Sequence, residues 1–107
     1  MKICIPLLED NGMDSRISDH FGKSPFLSFY DDETSKLEII KIAGKHAGGQ
    51  QTIAEIVLNS DADILICSNI GPKAIDLLKG NIYILTGAAG NLRQVLQTFK
   101  MKNLRSQ

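Results

Sequence analysis

Residues 64–85, ILICSNIGPKAIDLLKGNIYIL, decide the fold. Ile64-Leu65-Ile66-Cys67 is a continuous apolar run between Asp63 and Ser68-Asn69, the pattern of a central strand buried on both faces. Gly71-Pro72 then opens a helix, because proline at the first helical position forfeits an N–H that has no partner there anyway. Ala74, Ile75, Leu77 and Leu78 supply its apolar stripe, Gly80-Asn81 stops it, and Ile82-Tyr83-Ile84-Leu85 is a second buried strand. A strand, a helix and a strand in this order predict a parallel pair with a right-handed crossover.

Downstream of this unit, Asn91 caps a helix in which Leu92, Val95, Leu96 and Phe99 fall at i, i+3, i+4 and i+7. Upstream, Ile53, Ala54, Ile56, Val57 and Leu58 predict a helix from about Gly49 to Asn59. Three strands come first: Ile3–Leu7, Phe26–Asp31 and Leu37–Ile42. The polar link Asp32-Glu33-Thr34-Ser35-Lys36 is too short for a crossover, so the second and third strands read as an antiparallel hairpin. The order βββαβαβα predicts an α/β fold, a mixed five-stranded sheet with helices on both faces. One domain spans residues 1–107, with 101–107 a polar, solvated tail carrying Lys102 and Arg105.

The charge is balanced, 12 basic against 12 acidic residues, which argues against broad capture of nucleic acid or of an anionic membrane. The apolar start Ile3-Cys4-Ile5 is too short for a signal peptide, and no run reaches the length of a membrane span, so a cytoplasmic protein is expected. Cys4 and Cys67 sit in apolar strands without a C-x-x-C partner and read as packing rather than as a disulfide framework.

The chemistry concentrates in Ser18-Asp19-His20-Phe21-Gly22-Lys23-Ser24-Pro25, a loop before the second strand. Gly22-Lys23-Ser24 is not a P-loop, since Ile17 stands where the first glycine belongs and a strand follows instead of a helix. Gly87-Ala88-Ala89-Gly90 precedes a helix and reads either as an anion cradle or as a tight turn. The topology suits ribonuclease H-type nucleases, but Cys4 and the strand Ile64–Cys67 offer no carboxylates for two metal ions. No nucleophile signature is present, and Cys67 with His20 as its base is the only cysteine arrangement worth naming. His20 has small or polar neighbours and so reads as an accessible imidazole, a common ligand of transition metals. His46, before Ala47-Gly48-Gly49, sits on a second loop, and mobility of both loops would suit capture of a bulky ligand.

The segments D-S-R-I-S-D-H-F-G-K-S-P-F, H-A-G-G and I-L-I-C-S-N-I-G-P-K-A, in that order over roughly residues 1 to 100, resemble the dinitrogenase iron–molybdenum cofactor biosynthesis family. The resemblance implies a ribonuclease H-like fold without nuclease activity. It also implies a nitrogen fixation-related, non-enzymatic carrier of an iron–sulfur or iron–molybdenum cluster precursor, bound transiently and passed between cluster donor and acceptor proteins. His20 matches the family's H-F-G histidine and is the implied metal ligand. Phe21, Gly22 and Lys23 match adjoining positions, and Gly71 and Pro72 match the second segment. Fe–S clusters are normally held by four thiolates, so a cluster here would arrive preassembled and be held by few bonds.

Ligands of such sheets bind outside the carboxyl ends of the parallel strands. That rim should collect Ser68, Asn69 and Gly71 after one strand and Gly87 and Gly90 after the next. His20 would reach over them if its loop folds back, with donors added by the helix starts at Gly71 and Asn91. The alternative reading is a regulatory module binding a small molecule or anion, or a protein-interaction scaffold on the same fold.

Overall fold

The computed structural model describes residues 1–42, 52–101 and, as backbone, 105–106. Six strands form one sheet: β1 (Lys2–Leu7), β2 (Phe26–Asp31), β3 (Lys36–Lys41), β4 (Ile64–Ile66), β5 (Tyr83–Thr86) and β6 (Arg105–Ser106). Among the described residues three helices join them: α1 (Ile53–Leu58), α2 (Pro72–Leu78) and α3 (Leu92–Lys100). Strands lie in the order β3-β2-β1-β4-β5-β6. β1 pairs antiparallel with β2 and parallel with β4, so the chain's direction of travel across the sheet reverses between β1 and β4. β4 and β5 are parallel, as expected of residues 64–85.

The expected mixed sheet of five strands is present, with helices on both faces, and a sixth strand is added. Arg105 and Ser106 pair antiparallel with Thr86 and Leu85, so the segment read as a polar tail contributes a short edge strand. The free edge of β5 offers unpaired backbone groups, and these recruit a segment whose polar residues carry no apolar periodicity. The hairpin register runs from Asp31 opposite Lys36 to Phe26 opposite Lys41, which starts the third strand one residue early. The expected start of the first helix, at Gly49, lies outside the described residues. Within them, Thr52 caps α1 in a reciprocal box with Glu55.

Each face of the sheet has its own core. Cys4, Leu27, Phe29, Leu65, Cys67 and Ile84 pack with Ile53, Ala54 and Val57 of α1 and Leu78 of α2. Ile3, Ile5, Leu7, Ile64, Ile66 and Leu85 pack on the other face with Leu92, Val95 and Leu96 of α3. β1 and β4 are therefore hidden on both sides, which is why their sequences read as unbroken apolar runs. No helix among the described residues is long and apolar enough to cross a membrane.

Candidate functional site

The rim at the carboxyl ends of β1, β4 and β5 is built from the long connection between β1 and β2, which is tied down along its length. The Leu8 N–H donates to the Arg16 carbonyl at 2.9 Å. Arg16 clamps Glu9, with Nη2 at 3.0 Å from Oε1 and its backbone N–H at 3.0 Å from Oε2. This guanidinium and N–H hold the Glu9 carboxyl below its ordinary pKa. The Ile17 N–H then donates to the Gly90 carbonyl at 3.0 Å and the Ser18 N–H to the Pro6 carbonyl at 3.0 Å. The loop does fold back over the strand ends and is fastened there by these bonds.

His20 combines an exposed side chain with a heavily bonded backbone. Its carbonyl accepts from Ser18 Oγ at 3.0 Å, Ser24 Oγ at 3.0 Å and the Lys23 N–H at 3.1 Å. Its own N–H donates to Ser18 Oγ at 3.3 Å. Ser18 and Ser24 are buried, so these hydroxyls serve the backbone and not solvent. Phe21 begins a 3₁₀ turn, Phe21–Lys23, and is 2% exposed, buried in the core beneath α1 and α2. It anchors the turn and offers little surface to a ligand. Gly22 and Lys23 remain exposed beside His20.

The β4–α2 loop completes the site. The Asn69 carbonyl accepts the Phe21 N–H, and its side-chain amide donates to the Asp19 carbonyl. His20, Phe21, Gly22, Asn69, Ile70 and Gly71 line an open pocket of about 280 Å³. A neighbouring cleft of about 410 Å³ runs along Arg16, Asp19, Ser68, Ala88–Asn91 and Gln94. The rim thus brings His20 together with Asn69 and Gly71, and places Ser68 and Gly90 one step away in the adjoining cleft. His46 lies outside the described residues.

Of the two readings of Gly87–Gly90, the hydrogen bonds around it favour the tight turn. The Asn91 N–H goes to Gln94 Oε1 and the Gln94 N–H to Asn91 Oδ1, both at 2.9 Å. The Leu92 N–H donates to the Ser15 carbonyl, Gly87 to Ser68 and Ala88 to Cys67. These donors are spent on the fold. Gly87 and Gly90 have φ of 86° and 98°, and a Cβ at Gly90 would collide with Gln94 Oε1, so the turn itself requires these glycines.

Both cysteines are buried, and burial pushes the Cys67 thiol up to about 12 and the Cys4 thiol higher still. Both thiols lie in the core, and Cys67 Sγ donates to the Leu85 carbonyl at 3.8 Å rather than to His20. Among the described residues, no three His, Cys, Asp or Glu side chains are grouped to hold a metal ion.

Residues 1–102 match the family described as dinitrogenase iron-molybdenum cofactor. The chain belongs to that family. Among solved structures it is similar to PH0822, with 25% identity, a TM-score of 0.82 and coverage of 100% of this chain and 96% of that one. It is also similar to the apo form of the orange protein from Desulfovibrio gigas, at 21% identity and a TM-score of 0.83, covering 99% and 92%. A Thermotoga protein, TM1290, described as a NifB candidate of the DUF35 family, shares 23% identity with a TM-score of 0.80, covering 98% and 91%. No curated protein matches the chain. The chain thus shares the fold of these structures, and His20 lines the open pocket on it.

Ser18, Ser24, Asn69 and the Glu9–Arg16 pair carry the site's architecture, and sequence reading assigned none of them a supporting role. Small polar residues around a histidine signal a loop, but nothing in their identity says that the hydroxyls turn inward.

Proposed function

We propose that this protein is a non-enzymatic carrier that binds an iron–sulfur or iron–molybdenum cluster precursor at His20 and passes it between donor and acceptor proteins. The observation that carries this reading is the pairing of a free imidazole with a backbone fixed by four hydrogen bonds. A site held this rigidly presents one metal ligand without rearrangement, which lowers the cost of binding. A single protein ligand also leaves quickly, as transfer requires.

Family membership supports a role in metallocluster handling, and the exposed Lys23 supports an anionic cargo. Two free, buried thiols suit a reducing, cytoplasmic setting.

The test is an anaerobic titration of apo-protein with a preassembled thiolate-ligated [4Fe–4S] cluster, then desalting, iron analysis and visible absorption, beside His20→Ala. The wild type should retain iron and the variant should lose it while unfolding at the same temperature. Equal retention removes His20 from the site. No retention by either overturns the carrier reading in favour of a small-molecule module or a scaffold.

A further inference from the structure

Six described glycines divide into two kinds. Gly12, Gly80, Gly87 and Gly90 have φ between 58° and 98°, where side chains are disfavoured, so the backbone explains them. Gly22 and Gly71 do not have positive φ, and a Cβ built on either meets nothing within 4 Å. Gly71, at φ −80° and ψ 164°, is the N-cap of α2, a position where serine or asparagine serves at least as well. Thr52 and Asn91 do that work at α1 and α3. The fold would tolerate or gain from side chains at both places. Yet both glycines line the pocket beside His20, one on the 3₁₀ turn and one on the β4–α2 loop.

We propose that Gly22 and Gly71 are specificity-determining residues: they keep the two walls of the His20 pocket bare so that a bulky, rigid cargo can press against backbone. This rests on the carrier reading above and adds to it what the site selects for, which is size. Glycine is the residue that permits such close approach, and its entropic cost in the unfolded chain is the expected penalty. A cargo coordinated only by His20 needs contact over its flanks to stay bound. The bare walls supply that contact as van der Waals area and as exposed backbone groups.

The test uses the full chain with Gly22→Ala, Gly71→Ser and the double variant. Each is measured for thermal unfolding, for capture of the thiolate-ligated [4Fe–4S] cluster, and for the NMR signals of the His20 ring. Melting temperatures should stay level or rise by about 2–6 °C, because the substitutions restrict the unfolded chain or add a cap. Cluster capture should fall by about tenfold or more per substitution, the scale of one misplaced methyl group in a fitted site. His20 ring signals should remain those of the wild type.

Undiminished capture by the double variant would overturn the size filter while leaving the carrier intact. A marked fall in melting temperature would also overturn it, since the glycines would then be structural. A wild type that captures no cluster defeats the carrier reading itself, which is a separate and recognisable failure.

Discussion

Asn69 holds His20 from both sides. Its carbonyl accepts the Phe21 N–H at 3.2 Å and its side-chain amide donates to the Asp19 carbonyl at 3.2 Å, so one residue fixes both peptides that flank the histidine. The backbone bond survives any substitution, but the side-chain bond does not. Replacing Asn69 with alanine should cost about 0.5–1.5 kcal/mol, at the low end because the amide is exposed. Cluster capture should fall by roughly threefold to tenfold, since without the clamp the imidazole leaves its fitted position. Urea unfolding and iron retention check the two effects together. Asn69→Asp, similar in size but without a donor, should lose at least as much as the alanine variant, because it also sets a negative charge beside the pocket. Wild-type retention in both variants would show that His20 needs no such clamp.

Phe21 should matter to stability rather than to contact. It is 2% exposed and packs in the core under the histidine turn. Truncation to alanine removes most of a buried ring and should cost about 3–5 kcal/mol. That is a large part of the roughly 5–15 kcal/mol that holds a domain together. Phe21→Leu should lose far less and keep cluster capture near the wild type. If Phe21→Leu folds normally but captures nothing, the ring touches cargo directly and the anchor role is wrong.

Much of the architecture was legible because β1 and β4 are covered on both faces, so burial is written as continuous apolar runs at Ile3–Leu7 and Ile64–Cys67. Pro72 and Asn91 marked helix starts through chemistry local to the turn. β6 was illegible for the opposite reason: Arg105 and Ser106 are held by backbone pairing with Thr86 and Leu85, which no side chain announces. The site divided the same way. His20, Gly22 and Gly71 stood out by type, whereas the inward turn of Ser18 and Ser24 depends on carbonyls brought near by tertiary folding. At Gly87–Gly90 the choice between an anion cradle and a tight turn stayed open in the sequence, because sequence shows donors but not the acceptors, such as the Ser68 and Cys67 carbonyls, that use the Gly87 and Ala88 N–H groups.

The cysteines give a prediction that separates packing from ligation. Their folded-state pKa values lie above the ordinary thiol value, with Cys67 near 12, because burial penalises the thiolate. A group raised in this way contributes stability below its unfolded pKa of about 9 and loses that contribution as pH rises towards the folded value. Denaturation midpoints should therefore fall between about pH 9 and pH 12, and both thiols should resist alkylation at pH 8 until the chain unfolds. Cys67→Ala should leave cluster capture intact. Rapid alkylation of the native protein at pH 8, or lost capture in Cys67→Ala, would return Cys67 to the list of ligands.

Lys23 should act through charge alone. It follows Gly22 on the exposed end of the 3₁₀ turn and has no ion-pair partner among the described residues. Lys36 is equally exposed and unpaired, but it starts β3 opposite Asp31, at the end of the sheet away from the rim. If the cargo is an anion, Lys23→Gln should weaken capture by roughly threefold to tenfold at low ionic strength. The difference should shrink as salt is raised and vanish near about 1 M, where screening acts within ~3 Å. Lys36→Gln should match the wild type at every salt concentration. Capture measured against sodium chloride concentration for the three proteins decides the matter. Parallel salt curves for Lys23→Gln and the wild type would mean that the cargo presents no negative charge to this side of the pocket, and equal losses in both variants would reduce the effect to the net charge of the chain.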